Sequence, residues 1–359
     1  MSGDGALDIE RLKEFGKRVF GAMGGAVTAA MIHLGDQLGL YRALWQGGPA
    51  TSAELALRTG LDERWLREWL HQQGAAGVLE WDAEERFSLS PEAVATLADE
   101  NHPAFGAGLF SQLPQTMAVL ERLPEAFRTG IGLAYDAFGP EGARGVERGF
   151  APWYRNLLVP IAIPRLAGVK GRLENGGEVA DVGCGGGVAL IELARAFPAA
   201  RFHGYEISAH ALERAEANKA EAGTANVHFH HAEEEELPSD ERFDLVLTFD
   251  CLHDMTRPAQ VMQAIRKAIR PDGVWLIADI KAHGSFAENV EHNPMTPLMY
   301  GFSVLTCMSS ALSEPGGAGL GTLGLHEDLA RRMVSEAGFT RFERLEIEHP
   351  VNAFYEVRP

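Results

Sequence analysis

Positive charge is what this 359-residue sequence most lacks: 32 Lys and Arg face 50 Asp and Glu, a formal charge of −18. Such a chain repels phosphate backbones and anionic lipid unless a basic patch reverses the field locally, and none is visible. Cysteine is scarce, with Cys184, Cys251 and Cys307 an odd number without CxxC spacing. That excludes a disulfide framework and suits a reducing compartment, so all three are expected to be small buried residues. Long apolar runs are missing as well. Stretches such as 273–278 fall far short of the ~18 residues that a membrane-spanning helix needs. The opening Met1-Ser2-Gly3-Asp4 lacks the basic flank and apolar stretch of a secretory signal, which makes a cytoplasmic location the expectation. What remains is an ordinary globular composition, 46% hydrophobic and 23% charged, long enough for two domains.

Residues 1–100 read as helix-rich. A weak amphipathic lead (Ile9 to Phe20) and an Ala/Gly/Met-rich stretch (Gly21 to Leu34) precede a run of short helices. Thr51-Ser52-Ala53-Glu54 carries a capping-box pattern, and Asp62 is a cap candidate for the helix over 63–70. Two short helices joined at Thr59-Gly60 make a helix-turn-helix, in which Trp65, Leu66 and Trp69 are expected to pack inside. After it, 77–81 and 87–89 flank the polar segment 82–86, two strands around a turn, which is the wing of a winged helix. Residues 101–172 are helical but broken by Pro114, Pro124, Pro140, Pro152, Pro160 and Pro164 and read as linker helices. From 173 onward apolar β-type runs at 178–182, 201–205, 227–230, 243–249 and 274–279 alternate with helical segments near 188–197, 209–222 and 258–270, which argues for a parallel α/β sheet.

The strongest local signal is Val179-Ala180-Asp181-Val182-Gly183-Cys184-Gly185-Gly186-Gly187, a strand running into a glycine turn and a helix. Glycines there let backbone approach a ligand. Nineteen residues past Gly187, Glu206 ends the second strand, where a carboxylate can accept both hydroxyls of a ribose. The spacing Gly183-x-Gly185-x-Gly187 differs from the dinucleotide fingerprint GxGxxG, and Asp181 precedes it by two residues. This resembles motif I of the class I S-adenosylmethionine-dependent methyltransferases. Phe229-His230-His231-Ala232-Glu233, Phe243-Asp244-Leu245-Val246, the Arg270-Pro271-Asp272-Gly273 turn and Ala337-Gly338-Phe339 extend the resemblance over most of 173–359. With the winged helix ahead of it, the domain order is similar to bacterial winged-helix methyltransferases and, more distantly, to plant-type small-molecule O-methyltransferases.

The resemblance implies a Rossmann-like α/β sheet with an N-terminal, mainly helical winged-helix domain that dimerises and covers the acceptor. It implies S-adenosylmethionine held by Asp181, Gly183, Cys184, Gly185, Gly187, Glu206, Ile207, His231, Ala232, Glu233, Phe249 and Asp250. Many members carry Asp at the position of Glu233, so the adenine contact there has one extra methylene. His253, in Cys251-Leu252-His253-Asp254-Met255, is similar to the "HD" motif of plant-type O-methyltransferases and is the candidate general base. The alternative is a strand-end histidine packed near the cofactor. Asp254 cannot easily orient His253 from the adjacent position, so an orienting carboxylate must come from elsewhere. Residues 281–325 form an unusually long connection with Asn293, Met295, Tyr300 and Met308 as acceptor-lining candidates beside Asp254, suited to an apolar or aromatic molecule.

His203, His228, His230 and His231 raise a metal site, which the missing ligand spacing disfavours; no metal is expected. Two other functions compete. A transcriptional regulator would use the winged helix on DNA, but residues 1–100 hold 9 basic and 16 acidic side chains, the wrong sign for phosphate contacts. An NAD-linked oxidoreductase would also use Glu206, but not this glycine spacing. The expectation is therefore a homodimeric methyltransferase acting on a small molecule and binding neither nucleic acid nor membrane.

Overall fold

The structure, a computed structural model, describes residues 7–359 and divides the chain into two units, 1–113 and 114–359. Among the described residues no helix is long and apolar enough to cross a membrane.

The first unit opens with α1 (Ile9–Gln37), capped by the Asp8 carboxylate, which accepts from the amides of Glu10 and Arg11 at 2.9 and 3.1 Å. The two segments that read separately in the sequence are thus one 29-residue helix. α2 (Leu40–Gly47), α3 (Ser52–Thr59) and α4 (Glu63–Ala75) follow. Thr51 and Glu54 form the expected capping box on α3, and Asp62 caps α4. The wing is β1 (Glu80–Trp81) against β2 (Phe87–Ser88), antiparallel, with Phe87 also bridged to Ala50. Its core gathers Tyr41, Leu44, Leu55, Leu66, Trp69, Leu70 and Phe87. Gly35 is required where α1 meets this core, because a Cβ there would lie 2.4 Å from the Trp69 ring. Trp65 departs from expectation: it is 81% exposed, because it sits in the first turn of α4 at the edge of the stripe formed by Trp69, Leu66 and Leu70.

The second unit is built on seven strands in the order β5-β4-β3-β6-β7-β9-β8. These are β3 (Glu178–Val182), β4 (Arg201–Glu206), β5 (Val227–His231), β6 (Phe243–Phe249), β7 (Ile269–Ile280), β8 (Arg341–Arg344) and β9 (Asn352–Arg358). The first five pair in parallel, and β8 and β9 close the sheet antiparallel. Strand β7 is longer than its apolar run. Ile269 already pairs with Phe243, and Arg270 to Gly273 form a bulge before the register resumes at Leu245 and Val274. The bulge lets polar residues leave the sheet without ending the strand.

Chain order reverses at β3: β4 and β5 lie to one side of it, β6 and β7 to the other. Two cores flank the sheet. One is formed under the helices 154–174 and 188–196, the other under the helices 258–268 and 327–336. Ligands of open α/β sheets lie outside the carboxyl ends of the strands at such a reversal. Here those ends carry Asp181 and Gly183 (β3), Glu206 (β4), Phe249 and Asp250 (β6) and Asp279 (β7).

Candidate active site at the strand ends

The turn after β3 has the conformation that the sequence asks of it. Gly183, Gly185 and Gly187 have φ of +79°, +52° and +71°, the left-handed region that side chains disfavour. A Cβ at Gly187 would meet the Phe229 ring at 2.3 Å, whereas one at Gly185 would meet nothing within 4 Å. Gly185 therefore faces open space. Its amide donates to Glu206 Oε2 at 2.8 Å, while Glu206 Oε1 accepts from the amides of Ile207 and Ser208 at 2.8 and 2.9 Å. Three backbone donors thus fix a buried carboxylate at the end of β4. Burial pushes its pKa up, and the three amides pull it back in part.

Asp181 is buried beneath this turn, and its Oδ1 has no hydrogen-bond partner. Burial, with the charge of Glu206 adding to it, pushes its pKa to about 8. Such a group is waiting for a cation or a donor. Cys184 is buried, and its sulfur would lie 2.7 Å from a Cβ on Gly204, so it fills the space between β3 and β4. Ile207 is exposed just beyond Glu206, and the amide of Ala232 donates to the Glu206 carbonyl at 2.9 Å. His231 is half-buried with an unpartnered Nδ1, and Glu233 is exposed. Asp250 adopts φ +49°, an unusual backbone for a non-glycine residue, and accepts a hydrogen bond from Asn352. Burial and then the Asp279 charge bring its pKa to about 7.

His253 is 2% exposed, and its Nδ1 lies 2.6 Å from Asp279 Oδ1. The orienting carboxylate thus comes from the end of β7, 26 residues on, a residue that sequence reasoning missed. Its signal was present: Asp279 ends the apolar run 274–278, and parallel pairing of Phe249 with Ala278 sets it level with Asp250. Asp279 Oδ1 also accepts from the Ile280 amide at 2.8 Å, and Oδ2 is buried without a partner. Burial opposes charge on the imidazole, but the Asp279 carboxylate outweighs it and holds the pKa well above its usual value. Asp250, His253 and Asp279 bring three possible ligand atoms within 4.8 Å of one another. Nδ1 is already committed to Asp279 and Asp250 to Asn352, so the trio is a hydrogen-bonded array.

The other cysteines differ from expectation. Cys251 and Cys307 are half-buried rather than buried. Helices of 114–172 also reach the site. Tyr135 lies near Asp254, Glu206 and Cys307, and Tyr154 near Asp181 and Asp250. Burial, then those carboxylates, push both phenols well above their usual range, so both stay protonated donors. Trp153 stacks on Phe354 at 5.5 Å and meets Phe249 edge-on at 5.0 Å.

The acceptor candidates divide. Asp254 lies beside His253, and burial raises its pKa well above the carboxylate range. Met308 follows Cys307 and is half-buried. Asn293 accepts from the Met295 amide at 2.9 Å, Met295 is exposed, and Tyr300 packs against Phe286 with ring centroids 5.9 Å apart. The strand histidines form a stack of their own, with His203 Nδ1 3.1 Å from His230 Nε2 and His230 Nδ1 2.8 Å from Glu235.

Comparison with known proteins fits this arrangement. Residues 173–338 match the methyltransferase domain model, and residues 26–99 match the Rv2258c-like winged HTH domain. The ubiquinone biosynthesis O-methyltransferase of Paracidovorax citrulli is 32% identical over 113 residues, 31% of this chain and 44% of that protein. That of Leptothrix cholodnii is 26% identical over 155 residues, 43% of this chain and 60% of that protein. The chain thus spans about half the length of these curated relatives. Among solved structures, human N-acetylserotonin methyltransferase in complex with SAM aligns with a TM-score of 0.69 at 13% identity, covering 100% of this chain and 99% of the other. An O-methyltransferase family protein from Burkholderia thailandensis gives 0.65 at 16% identity, covering 98% of both chains.

Asp181 yields a sign-definite prediction. Its folded pKa of about 8 lies above the ordinary 3.8, so between these values the folded chain holds a proton that the unfolded chain has lost. Stability from this group is full below pH ~4 and is lost as pH rises toward 8. Asp181→Asn removes the loss. The ligand-free variant should melt above the parent at pH 8, by a margin that shrinks toward pH 5 in scanning fluorimetry. An equal margin at both pH values would show that Asp181 is ionised throughout.

Proposed function

Because this chain belongs to the methyltransferases that carry an Rv2258c-like winged N-terminal domain, we propose that it transfers a methyl group from S-adenosylmethionine to a hydroxyl oxygen of a small molecule. One observation carries the reading: the reversal of the sheet brings an open glycine turn, a strand-end carboxylate and an anchored histidine to one edge. The residues suit the cofactor. Gly185 leaves space where a side chain would stand, Glu206 Oε2 keeps one lone pair for a ribose hydroxyl, and the unpartnered Asp181 oxygen would accept from an ammonium group. When bound, the cofactor supplies a methyl on a sulfonium sulfur, ready for in-line displacement.

The chain's own residues then have three tasks. The glycine turn, Cys184, Ile207, His231, Ala232, Glu233, Phe249 and Asp250 hold and shape the cofactor. Trp153, Tyr135 and Tyr154 exclude water, which strengthens every charge interaction inside. His253 takes the acceptor proton. With its Nδ1–H donated to Asp279, the imidazole presents Nε2 as the free base, and Asp279 stabilises the imidazolium that forms. Asp254 and Met308 lie where the acceptor would meet His253, while Asn293, Met295 and Tyr300 line the outer part of the approach. The acidic winged unit serves as a scaffold rather than a DNA reader. The chain's unpaired cysteines suit a reducing, cytoplasmic setting.

The partner is a second copy of this chain. Along α1 Phe15, Val19, Phe20, Met23 and Val27 are exposed, and glycines stand at 16, 21, 24 and 25. Each interior glycine costs a solvated helix about 1 kcal/mol relative to alanine. A helix so apolar and so glycine-rich is favourable when another surface covers it.

Calorimetric titration with S-adenosylmethionine, S-adenosylhomocysteine and NAD tests the cofactor: the first two should bind and the third should not. Glu206→Ala should weaken that binding by roughly 1.5–3 kcal/mol per hydrogen bond lost. Binding of NAD alone overturns the reading.

For the base, kcat/KM should fall as pH falls through the raised His253 pKa, since only the neutral ring accepts a proton. Asp279→Asn should lower the plateau and move the step to lower pH. A profile without that step returns His253 to a packing role.

For the dimer, light scattering should give about twice 39.0 kDa, and Phe15→Glu with Phe20→Glu should return the mass toward 39.0 kDa.

A further inference from the structure

The helix Gly139–Trp153 reads in the sequence only as a linker, yet it stands on the glycine turn. Glu147, midway along it, keeps 11% of its side chain exposed and accepts both prongs of a guanidinium. Arg214 Nε donates to Glu147 Oε2 at 3.0 Å, and Nη2 donates to Oε1 at 2.9 Å. Arg214 belongs to the helix Ala209–Ala222 that follows β4, and its Nη2 also donates to Asn218 Oδ1, one turn on, at 2.9 Å. With that oxygen engaged, the Asn218 amide turns its nitrogen to the carbonyl of Gly186 and donates at 2.9 Å. The series Glu147, Arg214, Asn218, Gly186 thus ends on the backbone of the turn itself.

Two further observations tie this series to the turn. A Cβ on Gly186 would meet a Glu147 carboxylate oxygen at 2.7 Å, which accounts for a fourth glycine that the spacing Gly183-x-Gly185-x-Gly187 does not ask for. The amide of Gly187, on the same peptide plane as the Gly186 carbonyl, donates to the Cys184 carbonyl at 2.9 Å, so this plane is held at both ends. Glycine resists peptide rotation little, and bonds of this kind decide which way the turn presents its groups. The other end of the segment is fastened to the same helix. Asp136 accepts from the Ser208 hydroxyl and, at 3.2 Å, from the Ala209 amide, two and three residues past Glu206.

We infer that Glu147, Arg214 and Asn218 form a latch that fixes the Gly186 peptide and holds the helix 139–153 on the glycine turn, and that this latch sets how long an adenosyl ligand stays bound. All three are positioning residues, acting through the turn. Arginine suits the centre of the latch. Its planar fork serves the carboxylate with two N–H groups and Asn218 with a third, whereas a lysine ammonium would keep the charge without that geometry. The retention of the ligand rests on the proposed cofactor; the latch itself does not.

The test compares the full-length parent with Glu147→Ala, Arg214→Lys and Asn218→Ala. Hydrogen exchange of the ligand-free proteins is followed by mass spectrometry on peptides spanning 183–189. These should exchange at least fivefold faster in all three variants, while peptides from β6 and β7 keep the parent rate and so report an intact sheet. Combining Glu147→Ala with Asn218→Ala should add less than twofold to the faster single variant, because both break one series of bonds. Parental exchange in Asn218→Ala overturns the latch, and parental exchange in Arg214→Lys overturns the relay from Glu147 to Asn218. Dissociation of S-adenosylhomocysteine, followed by stopped-flow displacement, should be at least fivefold faster in each variant. A lowered melting temperature with parental exchange and dissociation, as a merely structural ion pair would give, overturns both parts. Faster exchange with parental dissociation overturns the retention alone. If the parent binds no S-adenosylhomocysteine, the methyltransferase reading and the retention fall together, while the exchange result still decides the latch.

Discussion

Everything at the candidate site depends on the parallel register of β6 and β7. Pairing of Phe249 with Ala278 places the next residues, Asp250 and Asp279, side by side at the carboxyl edge. His253, four residues after β6, then has a fixed carboxylate within reach, and the 2.6 Å contact follows. A shift of one residue would turn Asp279 to the other face of the sheet and leave the imidazole unanchored. The buried array is thus a property of two strands rather than of the loop that carries the histidine.

The same edge concentrates negative charge. Asp181, Glu206, Asp250, Asp254 and Asp279 converge there in a setting where burial already disfavours ionisation, and four of them have raised pKa values. A protein gains no stability from such a cluster. Its justification lies in what it can receive: a cationic ligand would favour the ionised forms that burial disfavours in the ligand-free chain. The single imidazole and the amides on Glu206 hold the cluster in the meantime.

Much of this architecture is legible in the amino-acid sequence. The strand boundaries of the α/β unit, the caps of α3 and α4, the wing and the glycine turn all follow from local patterns whose physics is confined to a few residues. Trp65 escapes such a reading because its i, i+4 spacing with Trp69 puts both on one side of α4, and spacing does not say where the edge of that stripe leaves the core. Asp279 escapes it for a different reason. Its importance lies in a contact 26 residues from His253, and no local spacing encodes such a pairing. The register of β6 and β7 is what supplies it.

The division of labour between strands and helices explains which half of a ligand this fold makes readable. Strand ends bear groups whose positions are dictated by sheet geometry, so the cofactor side has motifs. The helical segments 114–172 and 281–325 supply Tyr135, Trp153, Tyr154 and Met308 from surfaces that any apolar residue could fill. Yet the two tyrosines are not interchangeable with phenylalanine. Each is a neutral O–H set among carboxylates, Tyr135 near Asp254 and Glu206 and Tyr154 near Asp181 and Asp250, with a pKa raised far enough that it never adds to the negative charge. Hydroxyls of that kind temper the field at the strand ends without neutralising it. An acidic edge capped by protonated phenols can therefore remain both dry and poised for a cation.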